Sequence, residues 1–437
     1  MPLSHESSIL VIGAGTWGCS TSLHLARRGY KNVQVLDLHP VPSPIAAGND
    51  VNKIMEHKEL KSSNLDPISA ALAACSRSAL RGWKTDPVFQ PYFHETGIIV
   101  SGHTPELIQH VKKAEIDPFK ADFVALETAE DFRRTMPPGV LTGEFPGWKG
   151  WYSKEGAGWI HTQKAMVSAY TEAKILGVKF STGPSGHVVA LAYEDGDVIG
   201  AKTIDGVIHK AEHTILAAGA GSDHLLDFKR QLRPTAWTLC HIRMTPEEVT
   251  KYQDLPVLFN IAKGFFMEPD ADKHELKICD EHPGYCNFIP NPIRPGETKS
   301  VPFPKHQIPL EAELRVRDFL QDTMPHLAKR PLVFARICWD ADTPDRAFLI
   351  DRHPEHPSLL LAVGGSGRAA KDMPTIGGFI CDALEGNLEK EWKDVMRWRP
   401  ETAVHRDWHS TQDRFGGPNK VMDFQDVKDD EWTEISA

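Results

Sequence analysis

The chain has 437 residues, a formal net charge of -10, and apolar and charged fractions of 41% and 25%. That length exceeds one compact core and predicts two closely packed domains. The acidic balance, with no basic run, argues against nucleic acid or an anionic membrane as the main partner, and no apolar run is long enough to span a bilayer. The opening MPLSHESS lacks a signal-peptide pattern, and the ending EISA is not the peroxisomal S-K-L address. Seven cysteines without metal-type spacing predict buried thiols in a reducing compartment, so a cytoplasmic location and no bound metal are expected.

The first predicted element is a short, branched, apolar strand, Ser8 to Ile12. Gly13, Gly15 and Gly18 follow as G-x-G-x-x-G, then Cys19, Leu23 and Ala26 at helical spacing, with Gly29 as the stop. Val33 to Leu36 is a second strand, closed by Asp37. This order reads as a βαβ unit that holds a dinucleotide. Gly13 allows the tight turn, Gly15 lets the backbone approach a pyrophosphate, and Gly18 lets helix and strand pack closely. The helix N-terminus offers free N–H groups to the phosphates, and Asp37 is placed for a ribose hydroxyl.

A Pro-rich turn from Pro40 to Pro44 leads into the polar loop AAGNDVNKIM, beside which a flavin or nicotinamide ring has room. Ile68, Leu72 and Cys75 mark a helix face running toward Trp83, and residues 87–149 read as inserted α+β material. A helix follows from His161 to Leu176, then a strand at Val178 to Ser181. Three alternating segments, 187–193, 198–203 and 207–210, are joined at Asp195-Gly196 and Asp205-Gly206, the residue pairs of tight hairpins. A strand from Thr214 to Ala218 ends in Gly219. Residues 232–327 are mixed, with an amphipathic helix expected on Leu314, Phe319 and Leu320. The apolar strand Leu359 to Val363 runs into GGSGRAAK, and Ile376, Ile380 and Leu384 form a helix face after it. This late Gly-rich turn suggests that C-terminal sequence completes the first domain. Trp398, Trp408 and Trp432 are candidate anchors for a polar tail.

The stretches GAGTWGCSTSLHLARRGY, SPIAAGNDVNKIM, GFFMEPD, KICDEHPGY, ARICWDADTPDRAFLIDRHP, GGSGRAAK and DRFGGPNKVMDF together resemble the fungal fructosyl amino acid oxidases, or amadoriases. Sarcosine and pipecolate oxidases are the wider relatives. The resemblance covers nearly the whole chain. It implies an α/β fold, α+β overall: a Rossmann-type FAD-binding domain with a β-meander, packed on a substrate domain with a mixed or antiparallel sheet. Residues 1–85, 150–230 and 331–392 are assigned to the first domain and 86–149 and 231–330 to the second. The tail, 393–437, is expected to reach the active site.

The activity implied is FAD-dependent oxidation of the C–N bond of glycated amino acids. A hydride passes to the flavin, the imine is hydrolysed, and oxygen is reduced, giving amino acid, glucosone and hydrogen peroxide. The partners implied are a fructosyl amino acid and molecular oxygen, and a monomer is expected. Cys338 matches the cysteine that carries the flavin covalently; relatives often read C-W-C there, and Asp340 stands in place of the second cysteine. Lys53 and Lys277 match basic residues near the flavin, where a cation stabilises charge formed as oxygen is reduced. Glu281 matches an acid directed at the substrate, Lys371 a residue that binds or gates its carboxylate, and Arg414 an arginine that clamps it. The cofactor set implied is Gly13, Gly15, Thr16, Trp17, Gly18, Asp37, Ala47, Gly48, Lys53, Val188, Ala218, Gly219, Cys338, Asp340, Gly365, Gly367, Arg368 and Lys371. Trp237, His241 and Phe265 are pocket-lining candidates, with a core position the commoner fate of such residues. The competing readings are oxidation of sarcosine, pipecolate or saccharopine by the same machinery, and a flavin- or nicotinamide-binding protein without oxidase chemistry.

Overall fold

A computed structural model describes residues 3–57, 59–61, 65–404, 406 and 414–436. Strand Ser8–Ile12 buries its apolar run between two parallel neighbours, Asn32–Leu36 and His213–Leu216. The six-stranded sheet continues through Lys179–Ser181 on one side, and through His356–Val363 and Leu349–His353 on the other. Sequence from both ends of the chain therefore builds one sheet. A three-stranded antiparallel meander, Val188–Glu194, Asp197–Thr203 and Ile208–Lys210, precedes His213–Leu216. Asp195 (φ 51°) and Gly196 (φ 84°) take the left-handed pair that its first hairpin requires.

Helices Thr16–Arg27, Pro67–Thr85, Thr162–Ile175 and Met373–Glu385 share one apolar cluster with this sheet. Thr16–Arg27 and Met373–Glu385 cross at van der Waals distance. Ser20 Oγ donates to the Met373 carbonyl (2.6 Å) and accepts the Gly377 N–H (3.0 Å). A Cβ on Gly377 would lie 2.4 Å from the Ser20 backbone, so only glycine fits that crossing.

The second sheet has ten strands. Its centre is the long strand Arg233–Arg243, paired antiparallel with Leu332–Asp342 on one side and with Glu275–Asp280 on the other. Ile98–Gly102 and Val257–Asn260 add a parallel pair, which makes the sheet mixed. Helix Leu310–Thr323 covers one face, where Ala312, Val316, Phe319 and Leu320 meet Cys240, Ile242, Leu276 and Ile278. The helix is present, but its buried stripe is not the one expected. Leu314 is 68% exposed, because the buried positions 312, 316, 319 and 320 turn residue 314 toward solvent.

Two boundaries also move. Strands Lys149–Ser153 and Leu332–Asp342 hydrogen-bond into this second sheet, whereas boundaries at 150 and 331 assign them to the nucleotide-binding unit. In the tail, Trp398 packs beside Phe228 on the first unit, and Trp432 joins Phe303, Trp339 and Phe424 on the second. Trp408 lies outside the described residues. Among the described residues no helix is long and apolar enough to cross a membrane.

The helix crossing yields a paired test. Gly377→Ala should overpack the interface and cost about 1–3 kcal/mol, read as a lower urea midpoint. Gly378→Ala places its methyl 3.5 Å from the His24 ring, an ordinary contact, and should leave the midpoint nearly unchanged. Equal midpoints for the two variants would refute the close-crossing argument.

Candidate active site

The glycine-rich turn has the shape of an anion cradle. Gly13 takes φ +104°, and a Cβ there would lie 2.5 Å from the Ala217 carbonyl oxygen. A Cβ on Gly18 would lie 1.8 Å from the Gly13 carbonyl oxygen, which seals helix against strand. Gly15 and Gly219, by contrast, face open space within 4 Å. Helix Thr16–Arg27 begins with no side-chain cap and no acid in its first turn, so its leading N–H groups are left for an anion. These features fit the pyrophosphate of a dinucleotide.

The flanking residues are fixed by packing. Thr16 lies against Gly48, where a Cβ would come within 2.5 Å of the threonine methyl; Ala47 is the residue before it. Trp17 donates its indole N–H to the Ala369 carbonyl (3.2 Å) and sets its ring edge-on to Phe348, tying the cradle to the late Gly-rich turn. Asp37 accepts the Ala14 N–H at Oδ2 (2.7 Å) and the His39 N–H at Oδ1 (2.9 Å). Each carboxylate oxygen keeps a further lone pair for a ribose hydroxyl. Val188 opens the meander half-buried over the sheet, and Ala218 follows the strand that contacts Gly13.

Strand alternation gathers the second group of residues. In the ladder, Trp237 lies opposite Cys338, Leu239 opposite Arg336, and His241 between Phe334 and Lys277. Residues opposite one another point to the same face, and every second residue repeats it. Trp237, His241, Lys277, Arg336, Cys338 and Asp340 therefore share the face opposite helix Leu310–Thr323. Phe265 is opposite Cys279 and belongs to the same face.

On this face Lys53 and Lys277 meet through a residue not singled out in the sequence, Asp50. Its Oδ2 accepts from Lys277 Nζ (2.7 Å) and Lys53 Nζ (2.8 Å), and Lys277 also donates to the Asn52 carbonyl (2.8 Å). Lys277 is 2% exposed and Asp50 5%. Burial works against charge on Asp50, but Lys277, Lys53 and Arg336 outweigh it and hold the carboxyl well below the usual range. Burial likewise opposes charge on Lys53, and Asp50 reverses the effect and raises its pKa. Arg336, also not singled out, donates to the Pro44 and Ala46 carbonyls (3.3 and 3.2 Å) and lies 3.9 Å from Cys338 Sγ. Cys338 is the one half-buried thiol; the other six are buried.

The expected substrate groups sit nearby but are differently engaged. Arg414 is buried and paired bidentately with Asp342 (2.9 and 3.1 Å), with its guanidinium 4.1 Å from the Trp237 ring centroid. Both terminal nitrogens are thus committed to Asp342, and Nη2 donates in addition to the Ser366 carbonyl (3.3 Å), so a bound carboxylate must use the donors left on Nε and Nη1. Glu281 sits where burial pushes its carboxyl up to about 8, with Arg414 opposing and Asp280 adding to the rise. Lys371 is fixed through its backbone: its carbonyl accepts from the Trp83 indole (2.6 Å), and its N–H donates to Arg368 (3.2 Å). Arg368 N–H in turn closes a tight turn on Gly365 (2.8 Å). Asp340 accepts the N–H of Ala341 (2.8 Å) and of Gly367. His241 is held by Glu275 at Nδ1 (2.9 Å), and burial lowers its pKa.

Comparison with known proteins places this arrangement. The family model described as DAO, FAD dependent oxidoreductase, matches residues 8–383. The solved fructosyl amine: oxygen oxidoreductase (amadoriase I) of Aspergillus fumigatus is 76% identical, over 100% of this chain and 99% of that chain, with TM-score 0.99. The chain belongs to the FAD dependent oxidoreductases, among the amadoriases. The amadoriase II of A. fumigatus, a deglycating fructosamine oxidase solved in complex with FSA, is 51% identical over 100% and 99% of the two chains, with TM-score 0.94. The curated L-saccharopine oxidase of Schizosaccharomyces pombe is 27% identical, over 90% of this chain and 93% of its own.

In this amadoriase scaffold the shared carboxylate should be energetically coupled to its lysines. Asp50→Asn leaves the buried Lys277 ammonium without its anion and facing the half-buried Lys53, and should cost about 3–5 kcal/mol of stability. Lys277→Met removes one of them, so the double variant should cost less than the sum of the singles by at least about 1 kcal/mol. Strictly additive losses in urea unfolding would mean that the two side chains do not interact.

Proposed function

We propose that the protein is an FAD-dependent oxidase of fructosyl amino acids, cleaving the C–N bond between sugar and amino acid to give the amino acid, glucosone and hydrogen peroxide. The observation that carries the reading is the Lys53–Asp50–Lys277 cluster, with Asp50 and Lys277 buried, set on a scaffold 76% identical to a solved fructosyl amine: oxygen oxidoreductase. When bound, FAD accepts the two electrons of the C–N oxidation and hands them to oxygen. The chain's own residues set the conditions. Gly13, Gly15, Thr16 and the helix behind them hold the pyrophosphate, and Asp37 holds the ribose. Lys53 and Lys277 supply fixed positive charge where negative charge develops, pre-organised by Asp50 at no cost during the reaction.

Glu281 is neutral below about pH 8 and so can donate a hydrogen bond to a sugar oxygen. Arg414, oriented by Asp342 and set over Trp237, offers its remaining Nε and Nη1 donors to the amino-acid carboxylate, with Lys371 beside the turn that faces it. Cys338, half-buried next to Arg336, is the attachment residue for a covalent flavin. The reading includes action as a monomer, and seven free thiols support the reducing cytoplasm as its location.

A peroxide assay tests the substrate assignment. Fructosyl-valine and fructosyl-lysine should yield peroxide far faster than sarcosine or saccharopine, and a preference for saccharopine would replace the reading. In the same assay, kcat/KM for the fructosyl substrate should fall as pH rises through about 8, because ionised Glu281 no longer donates. Glu281→Gln, which donates at every pH, should remove that limb.

The flavin linkage has its own test. Acid-precipitated parent protein should stay yellow, while Cys338→Ser should release the cofactor into the supernatant. A colourless parent pellet would rule out attachment.

A further inference from the structure

Glu281 and Arg414, both assigned to the substrate, stand on segments that one buried network holds. Asp280 precedes Glu281 and turns to the other side of the sheet, toward helix Leu310–Thr323. Its Oδ2 accepts from Arg315 Nε of that helix (2.8 Å), and its Oδ1 accepts from the Thr238 hydroxyl. His282 follows Glu281 and meets the same hydroxyl through Nε2 (3.1 Å), while its Nδ1 accepts the Gly284 N–H (2.9 Å). Arg315 Nη2 donates to the Tyr285 hydroxyl (2.7 Å), which donates to Glu311 (2.7 Å). Thr238, Asp280, His282 and Tyr285 are each at most 1% exposed.

The protons of this network run one way. Burial lowers His282 to about 4, so its ring is neutral. With Nδ1 accepting, the ring proton lies on Nε2 and is donated to Thr238 Oγ1. The Thr238 proton is in turn committed to the Asp280 carboxylate. No member can turn round without stranding a buried polar group. The residues on either side of Glu281 are therefore fixed. The tail is locked to the same turn. A Cβ on Gly416 would lie 2.1 Å from the Glu281 carbonyl oxygen, and one on Gly417 3.3 Å from Arg315 Nη1, so the segment that begins at Arg414 lies against both. The Gly284 carbonyl accepts the Met422 N–H (3.0 Å) and ties the tail down a second time.

We propose that Asp280 and Arg315 are positioning residues of the oxidation: through Thr238 and His282 they hold the Glu281 carboxyl and the Arg414 segment in fixed relation, and with them the sugar and carboxylate ends of the substrate. The inference rests on the reading that Glu281 and Arg414 hold the substrate. Thr238, Asp280 and Arg315 act from the helix side of the sheet, away from the face that carries Lys277 and Cys338. Asp280 also acts through its charge. Burial is the larger cause of the raised Glu281 carboxyl; among the charges around it, Arg414 and Arg346 favour the anion and Asp280 opposes it. Asp280 itself faces Arg315, His282 and the hydroxyl of Thr238, which keep its carboxylate in place.

The charge and the hydroxyl are tested separately, in the holoenzyme. The carboxyl infrared band that Glu281→Gln abolishes reports the protonation of Glu281. Asp280→Asn keeps the shape and removes the anion, so the midpoint of that band should fall by roughly 1 pH unit, and the alkaline limb of kcat/KM should move with it. Thr238→Val keeps every charge and removes the hydroxyl. It should lower kcat/KM for fructosyl-valine roughly tenfold to a hundredfold, as misplacement of a substrate group does. Thr238→Ser should restore most of that loss, and light-reduced flavin should be reoxidised by oxygen at the parent rate in both. An unmoved midpoint in Asp280→Asn overturns the proposal. So does a parent-like kcat/KM in Thr238→Val, or an equal slowing of reoxidation, which would mark general damage. Should Asp280→Asn fail to fold, the Thr238 pair decides alone. A parent protein without a limb near pH 8, or inert toward fructosyl-valine, overturns the substrate reading instead, and the infrared midpoint still decides whether Asp280 sets Glu281.

Discussion

The active face depends on one buried carboxylate oxygen. Asp50 Oδ2 accepts from two lysines that arrive from different parts of the chain, Lys53 from the start of the short strand Lys53–Glu56 and Lys277 from a strand of the second sheet. Two ammonium groups this close would repel strongly in a medium of low dielectric. A single anion between them converts the repulsion into a bridge and leaves a net positive charge. The same bridge docks the loop on the sheet, and Arg336 repeats the device by binding the Pro44 and Ala46 carbonyls. The charges proposed to serve the chemistry are thus also the pins that join the two layers.

The two halves of the site use different materials. Phosphate recognition is assigned to backbone: glycines that admit close approach, and helix N–H groups with no competing side chain. Charge for the reaction is assigned to side chains on strands, where alternation places Trp237, Lys277, Arg336 and Cys338 on one face while the next residues along fill the core beneath helix Leu310–Thr323. A register slip of one residue in Glu275–Asp280 would bury Ile278's place with Lys277 and present Ile278 to the site. The tight apolar packing of Leu276 and Ile278 therefore guards the position of the lysine between them.

Much of this was legible in the sequence because it is local. The βαβ unit, the meander and the late Gly-rich turn announce themselves by spacing, and Cys338 and the two lysines by resemblance. What escaped is what depends on distant pairing. Asp50 reads as one polar loop residue among several until Lys277, more than two hundred positions later, is laid beside it. Strand Leu332–Asp342 shows no mark of which sheet it joins; only its ladder with Arg233–Arg243 tells. Leu314 misled because a single apolar residue on an otherwise charged helix face carries no period of its own, and the true stripe is set by what lies beneath.

Asp340 shows how a departure from a family motif is absorbed. A second acid two residues from Cys338, the position proposed for flavin attachment, raises the question of local polarity, since Asp342 lies on the same strand face. Burial opposes charge on both. Arg414 pairs with Asp342 and, with Arg233 and Arg346, outweighs burial there, so Asp342 stays below the usual range. Burial and the charge of Asp342 push Asp340 upward instead. The two acids therefore divide their roles: one is the anion that orients Arg414, while the other spends its oxygens on the Ala341 and Gly367 N–H groups and closes the Gly-rich turn over the strand. Where a cysteine would leave those N–H groups to find other partners, the carboxyl supplies them. The turn that bears Gly365 and Arg368 is thereby tied to the same strand as Cys338, so substitution at 340 trades a thiol for a structural clasp and leaves the cationic face around Lys53 and Lys277 intact.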